Sequence, residues 1–141
     1  MYITATDICA VIKEAAVIEL TDDENTGSAN VDFVNSAITQ SDGVIDSYLA
    51  TRYKLPLSLV PDVIKSVAVT LTVYNLYQRS SLEIDEKIKR AYTDAVSLLK
   101  DISKGAASLG LEERTTTSAD LAESNKTTTD RVFTLDKLKG W

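Results

Sequence analysis

The chain has 141 residues, of which 44% are hydrophobic and 26% are charged, with a net charge of −6. This length and balance are typical of one globular domain rather than a disordered chain. There is no histidine and only one cysteine, Cys9. An intrachain disulfide, a four-cysteine zinc site and a histidine-based hydrolase triad are thereby excluded. We therefore expect a soluble, non-enzymatic assembly module with no catalytic residues, no metal and no cofactor.

The charge is uneven along the chain. Residues 1–54 hold nine acidic and three basic residues, residues 55–110 hold six and seven, and residues 111–141 hold six and five. An acidic N-terminal half disfavours contact with DNA phosphates; it fits a basic partner or serves solubility alone. Neither a signal peptide nor a membrane span is predicted, because polar residues interrupt the longest apolar-rich stretch, 63–76.

Two helices separated by a loop are predicted in the first 54 residues. Thr4 or Thr6 can cap a first helix of about three turns, followed by a bend, and Cys9 is expected to be a small buried residue within it. Residues 21–30 predict an exposed loop. Asn30 can cap a second helix over 31–53, in which Gly43 indicates either a close helix contact or a kink.

Two prolines separate the second helix from the most apolar segment of the chain. Pro56 lies in a short extended connection, and Pro61 fits the first position of a third helix over 62–79. This helix is apolar nearly all round, which indicates a central position with Leu71 in the core. Arg52 is predicted to be a structural residue that favours the end of the second helix and anchors the Pro56 loop through carbonyl groups.

The fourth predicted helix, 84–104, has the clearest amphipathic pattern, and Gly105 follows it at the position of a C-terminal cap. Lys89, Lys100 and Lys104 share one face of this helix. They are candidate contacts to phosphate, although an ordinary solvated face is the favoured interpretation.

The composition changes after Gly110. Residues 114–117 (RTTT) and 126–129 (KTTT) each place three threonines after a base, which favours extended chain. The sequence thus predicts a mainly α fold, with a compact four-helix domain at 1–110 and an extended or β C-terminal arm at 111–141. The arm docks on a neighbouring subunit or folds back on its own helices. Its candidate partner-interface residues are Phe133, Leu135, Leu138 and Trp141.

Several segments resemble one known family. The most specific is 45–57 (IDSYLATRYKLPL); weaker matches lie at 1–8, at 18–22, in the fourth predicted helix and at 131–141. The chain is similar to a family of small proteins of Mu-like bacteriophages and prophages, known as a domain of unknown function and related to phage head–tail connector (adaptor or head-completion) proteins.

This resemblance implies a helical protomer that forms an oligomeric ring under the capsid portal. It implies portal and tail-completion proteins as neighbours, DNA passing through the lumen, no membrane contact and no active site. The location would be the virion, after synthesis in the bacterial host cytoplasm. The alternative is a small prophage regulatory or nucleic-acid-binding protein that acts through the basic face of the fourth helix.

Overall fold

A computed structural model describes residues 1–80 and 82–114 of the chain. Its five helices are α1 (Ala5–Val11), α2 (Glu14–Thr21), α3 (Val31–Leu49), α4 (Asp62–Arg79) and α5 (Glu86–Lys104). Within these residues no strand is formed, apart from an isolated antiparallel bridge between Tyr53 and Glu113. The mainly α class is confirmed. The predicted extended or β conformation of the arm falls, from residue 115 onward, outside the described residues.

The first predicted helix is two helices, so the expected number of four is wrong. α1 ends at Val11, and the backbone is extended at Ile12 (φ −116°, ψ 145°) before α2 begins. The N-terminal cap of α1 is formed by neighbouring residues of the chain. The backbone N–H of Thr4 donates to the Asp7 carboxylate at 2.7 Å, and this bond lowers the pKa of that carboxyl. Cys9 is exposed, against expectation, because α1 buries only Ile8.

Asn30 caps α3, since its side-chain oxygen accepts hydrogen bonds from the backbone N–H groups of Asp32 and Phe33. The helix ends at Leu49 rather than at the expected residue 53, because the amides of Arg52 and Tyr53 both turn back to the Leu49 carbonyl. Among the described residues, no atom outside the neighbouring backbone of α3 lies within 4 Å of the place where a Cβ on Gly43 would sit. A close helix contact is therefore not the reason for this glycine.

The connection from α3 to α4 contains both prolines. The Leu55–Pro56 peptide bond is cis, and Pro56 itself is exposed, whereas Leu55 and Leu57 pack against the core. Pro61 is the N-cap of α4 and not its first helical residue. Its ring therefore stands just outside the helix, where a missing N–H costs no helical hydrogen bond.

α4 is the central helix of the fold. It packs against each of the other four helices, and α3 and α5 also pack against each other. Leu71 is 1% exposed. The most deeply buried side chains are nearly all aliphatic and come from every helix, as expected for a core with few aromatic residues: Ile8, Leu20, Ile38, Ile45, Ile64, Leu76, Leu99 and Ile102.

A buried hydroxyl pair crosses the contact between α3 and α4. Ser41 Oγ and Thr72 Oγ1 are 2.6 Å apart, and both residues are fully buried. Thr72 also donates to the Ala68 carbonyl one turn earlier in its own helix. Because buried polar groups are costly unless they are hydrogen-bonded, this pair satisfies the polar atoms that interrupt the apolar face of α3.

We expect Leu71→Ala to lower the free energy of unfolding by about 2–5 kcal/mol, because the change removes a fully buried side chain and leaves a cavity. Denaturant unfolding of both proteins measures the difference. Leu59→Ala is the matched control, since Leu59 is 68% exposed and its truncation should change stability by less than about 0.5 kcal/mol. Equal effects at the two positions would contradict a central α4.

Gly43→Ala should raise the free energy of unfolding by about 0.5–1 kcal/mol, because alanine has the higher helix propensity and the added methyl group meets open space. Thermal melting monitored by circular dichroism tests this. A loss of stability would show that the glycine relieves strain in α3.

Candidate subunit interface

The segment that follows α5 turns back onto the end of α3. Gly105 caps α5 in the left-handed region (φ 85°), and the chain then passes Tyr53, which is 1% exposed. The backbone N–H of Leu109 donates to the Tyr53 hydroxyl at 3.1 Å, and that of Arg114 donates to the Arg52 carbonyl at 2.7 Å. The first four residues of the predicted arm therefore lie against the helical body.

Arg52 holds this arrangement together. Its Nη1 donates to the carbonyls of Ile102 (3.0 Å) and Ala107 (3.1 Å), and its Nη2 forms an ion pair with Glu113. These acceptors belong to the end of α5 and the segment after it, and not to the Pro56 loop, where they were expected. The cation also lies at the C-terminus of a helix, where the helix dipole favours positive charge. We call Arg52, Tyr53, Gly105, Glu113 and Arg114 the C-terminal clamp.

The C-terminal clamp sets the direction in which the chain continues. Tyr53 and Glu113 pair in antiparallel fashion, and the chain after Tyr53 leads to the start of α4. Arg114, the last described residue, therefore continues in the opposite direction, and its guanidinium donates to the carbonyl of Ala50 at 3.2 Å. The described chain thus ends beside the C-terminus of α3. Phe133, Leu135, Leu138 and Trp141 lie outside the described residues.

An open groove lies between α4 and α5. Because α3, α4 and α5 pack against one another in pairs, this groove is on the side of the bundle away from α3. Its volume is about 320 Å³. Its lining is mostly small or apolar: Val63, Ser66, Val67, Thr70, Ala91, Asp94, Ala95 and Leu98. We call it the α4–α5 groove.

The three candidate phosphate contacts, Lys89, Lys100 and Lys104, are all exposed on α5. Lys89 Nζ donates to the Glu86 carboxylate at 2.8 Å, and this bond raises the pKa of Lys89. Two further acids, Asp94 and Asp101, are exposed on the same helix. α5 carries five bases and three acids, so its acids reduce the positive field of the helix without cancelling it.

The loop between α2 and α3 is organised by its own acids. Backbone N–H groups, first that of Thr26, bind the Asp22 carboxylate and lower its pKa. Asp23 forms an ion pair with Arg79, whose guanidinium lies 3.5 Å from the centroid of the Phe33 ring. Asp22 and Asp23 therefore hold the loop in place. Within the described part of the chain, no cluster of three or more acidic or sulfur ligands could hold a metal ion.

The N-terminal residues are fixed on α3 by two aspartates. The Tyr2 hydroxyl donates to the Asp46 carboxylate, and the Tyr2 backbone N–H donates to Asp42 at 3.3 Å. Burial, reinforced by the bond to Asp46, raises the pKa of Tyr2. Ile3 is consequently held in the core.

These features define a small α-helical bundle with two distinct outward features, the C-terminal clamp and the α4–α5 groove. Residues 2–127 match the family model described as Bacteriophage Mu, Gp36, and the chain belongs to that family. This confirms the similarity to proteins of Mu-like phages. None of the described helices is both long enough and apolar enough to cross a membrane.

Two relatives place the chain among proteins of Mu and Mu-like prophages. It is 28% identical over 141 residues to Gene product J of Escherichia phage Mu, covering 99% of this chain and 98% of that protein. It is 32% identical over 80 residues to the Mu-like prophage FluMu protein gp36 of Haemophilus influenzae, covering 57% of this chain and 55% of that protein. The first similarity extends over nearly the full length of both chains.

Arg52→Ala should lower the free energy of unfolding by about 1.5–3 kcal/mol, because it removes charge-assisted hydrogen bonds to two carbonyls in a mostly buried position. Arg52→Lys is the matched control: it keeps the charge but cannot reproduce the fork of donors, so it should recover only part of the loss. Denaturant unfolding gives the stabilities. Amide hydrogen exchange at Leu109 and Arg114 measures how firmly the segment after α5 is held against the helical body. Unchanged exchange at both amides would contradict the C-terminal clamp.

Proposed function

We propose that this protein is a non-enzymatic virion structural protein, a head–tail connector or adaptor that assembles into an oligomeric ring under the portal. The observation that carries the proposal is membership of the Bacteriophage Mu, Gp36 family over residues 2–127, together with the resemblance of that family to connector proteins. The proposed location is the head–tail junction, after synthesis in the host cytoplasm. The neighbours would be portal and tail-completion proteins.

The arrangement of the surfaces supports a ring. The chain leaves the described bundle beside the end of α3, whereas the α4–α5 groove opens on the side away from α3. Two different surfaces on one subunit allow head-to-tail contacts, and head-to-tail contacts close into a ring when the rotation between neighbours is suitable. Identical patches facing each other would give a two-fold dimer instead.

The charge distribution is compatible with a DNA passage. The exposed acids among positions 1–54 include Glu14 and Glu19 on α2 and Asp32 on α3. A surface with little attraction for phosphate lets DNA pass without being retained. A regulatory protein that binds DNA needs a concentrated basic face, and on α5 the ion pair of Lys89 with Glu86 weakens that candidate.

We expect the full chain to form a closed oligomer with several subunits, measured as mass by size-exclusion chromatography with light scattering and as shape by electron microscopy. A chain that ends at Arg114 should keep its helical circular dichroism and cooperative melting but lose the oligomer. A chain that ends at Gly110 lacks Glu113 and with it part of the C-terminal clamp. Comparison of its melting with that of the chain ending at Arg114 measures how much the C-terminal clamp contributes to stability.

A full chain that stays monomeric at all accessible concentrations would contradict the proposal. If it instead forms a complex with DNA that salt dissociates, the nucleic-acid-binding alternative gains the support. Loss of helical structure in the chain ending at Arg114 would assign the arm to the fold of the subunit.

A further inference from the structure

We propose that the apolar C-terminal segment, residues 131–141, of one subunit docks in the α4–α5 groove of the neighbouring subunit. The inference rests on the proposed ring and deepens it, because it names the two surfaces that join neighbours.

The α4–α5 groove offers a mostly apolar site between two helices. Val67 and Ala95 form a buried floor, while Val63 remains 40% exposed at the edge. The small side chains of Ala91 and Ala95 leave the space between the helices open. A volume of about 320 Å³ lies at the lower end of the range of roughly 300–1,000 Å³ found for ligand sites, enough for a few large side chains.

The C-terminal segment has the complementary chemistry. It carries Phe133, Leu135, Leu138 and Trp141, and it holds three basic residues against one acidic residue. Asp94 lines the groove and forms no ion pair with any residue in the two described ranges. A net positive segment with large apolar side chains therefore matches a groove with an apolar floor and an acidic edge.

The length of the chain after Arg114 allows the segment to reach the groove of a neighbour as well as that of the same subunit, and the proposed ring selects the neighbour. The C-terminal clamp points the chain past Ala50 on the α3 side, away from the start of α4. Residues 115–132 can span at most about 60 Å when fully extended. This exceeds the length of α5, which is about 28 Å for 19 residues. The segment can thus reach an adjacent subunit in a head-to-tail ring.

Trp141 is the only tryptophan of the chain, so its fluorescence in the full-length protein reports the end of the segment directly. We expect the emission to move to shorter wavelength as the protein concentration rises and the ring forms. Val63→Lys should return the emission to that of a tryptophan in water and raise the concentration at the midpoint of assembly by about tenfold or more, because the groove would then have to bury a charge.

Leu82→Lys is the matched control, because Leu82 is 43% exposed but follows the far end of α4, away from the groove. It should leave both the emission and the assembly midpoint unchanged. Circular dichroism of both variants verifies that the helices are intact, since each substitution replaces an already exposed side chain.

A cysteine experiment separates docking on a neighbour from docking within one chain. In a Cys9→Ser background, one sample carries Ala91→Cys and another carries Leu138→Cys; the two are mixed, allowed to assemble and oxidised. We expect a disulfide-linked pair of chains. Gln40→Cys, on the exposed side of α3, replaces Ala91→Cys in the control and should give at least tenfold less linked product.

Each outcome decides one of the two proposals. A ring that forms normally with Val63→Lys, without the mixed disulfide, overturns the docking site and leaves the proposed ring intact. A shift in Trp141 emission that does not depend on concentration and that Val63→Lys abolishes shows docking within one chain and overturns the inference. Absence of any oligomer in the unmodified full chain overturns the proposed function as well.

Discussion

The guanidinium group of Arg52 joins the end of α3 to the end of α5 and to the segment that follows α5. It does so with bonds to the carbonyls of Ile102 and Ala107 and with an ion pair to Glu113. The last turn of a helix leaves carbonyls without partners, and a cation placed there satisfies them and matches the helix dipole. Together with the bonds from Leu109 to Tyr53 and from Arg114 to Ala50, this group fixes the path of the chain from Gly105 to Arg114.

The packed core holds the ends of α3 and α5 in the positions that the contacts of Arg52 require. α4 contacts every other helix, and the hydroxyl pair of Ser41 and Thr72 lies at its contact with α3. Since α3, α4 and α5 pack pairwise, the end of α3 and the α4–α5 groove face different directions. The asymmetry of the subunit, with a segment leaving on one side and a groove on the other, follows from the packing of three helices and one C-terminal clamp.

Several acidic side chains of the described residues are already bound within the fold. The acids of the α2–α3 loop bind that loop and Arg79, those of α3 fix Tyr2, and Glu86 lies beside Lys89. Charged groups that are already engaged in the fold contribute little to recognition of a new partner. Apolar side chains, by contrast, gain most of their stabilisation when a partner removes them from water. Such surfaces fit a family of Mu-like phage proteins whose proposed task is assembly.

The sequence by itself determined the features that depend on neighbouring residues. The helical class, the Asn30 and Gly105 caps, the loop predicted at 21–30 except for its first residue, and the apolar character of α4 all follow from side chains within about four positions of one another. Thr21 itself is the buried last residue of α2. The same local signals placed the end of α3 too late, treated α1 and α2 as one helix and gave Cys9 a buried position. Only the tertiary structure decided which residues accept hydrogen bonds from Arg52, because its acceptors lie 50 or more positions away in the chain. The α4–α5 groove has the same origin: it is formed by two helices that meet only when the core packs, and no periodicity within either helix specifies that meeting.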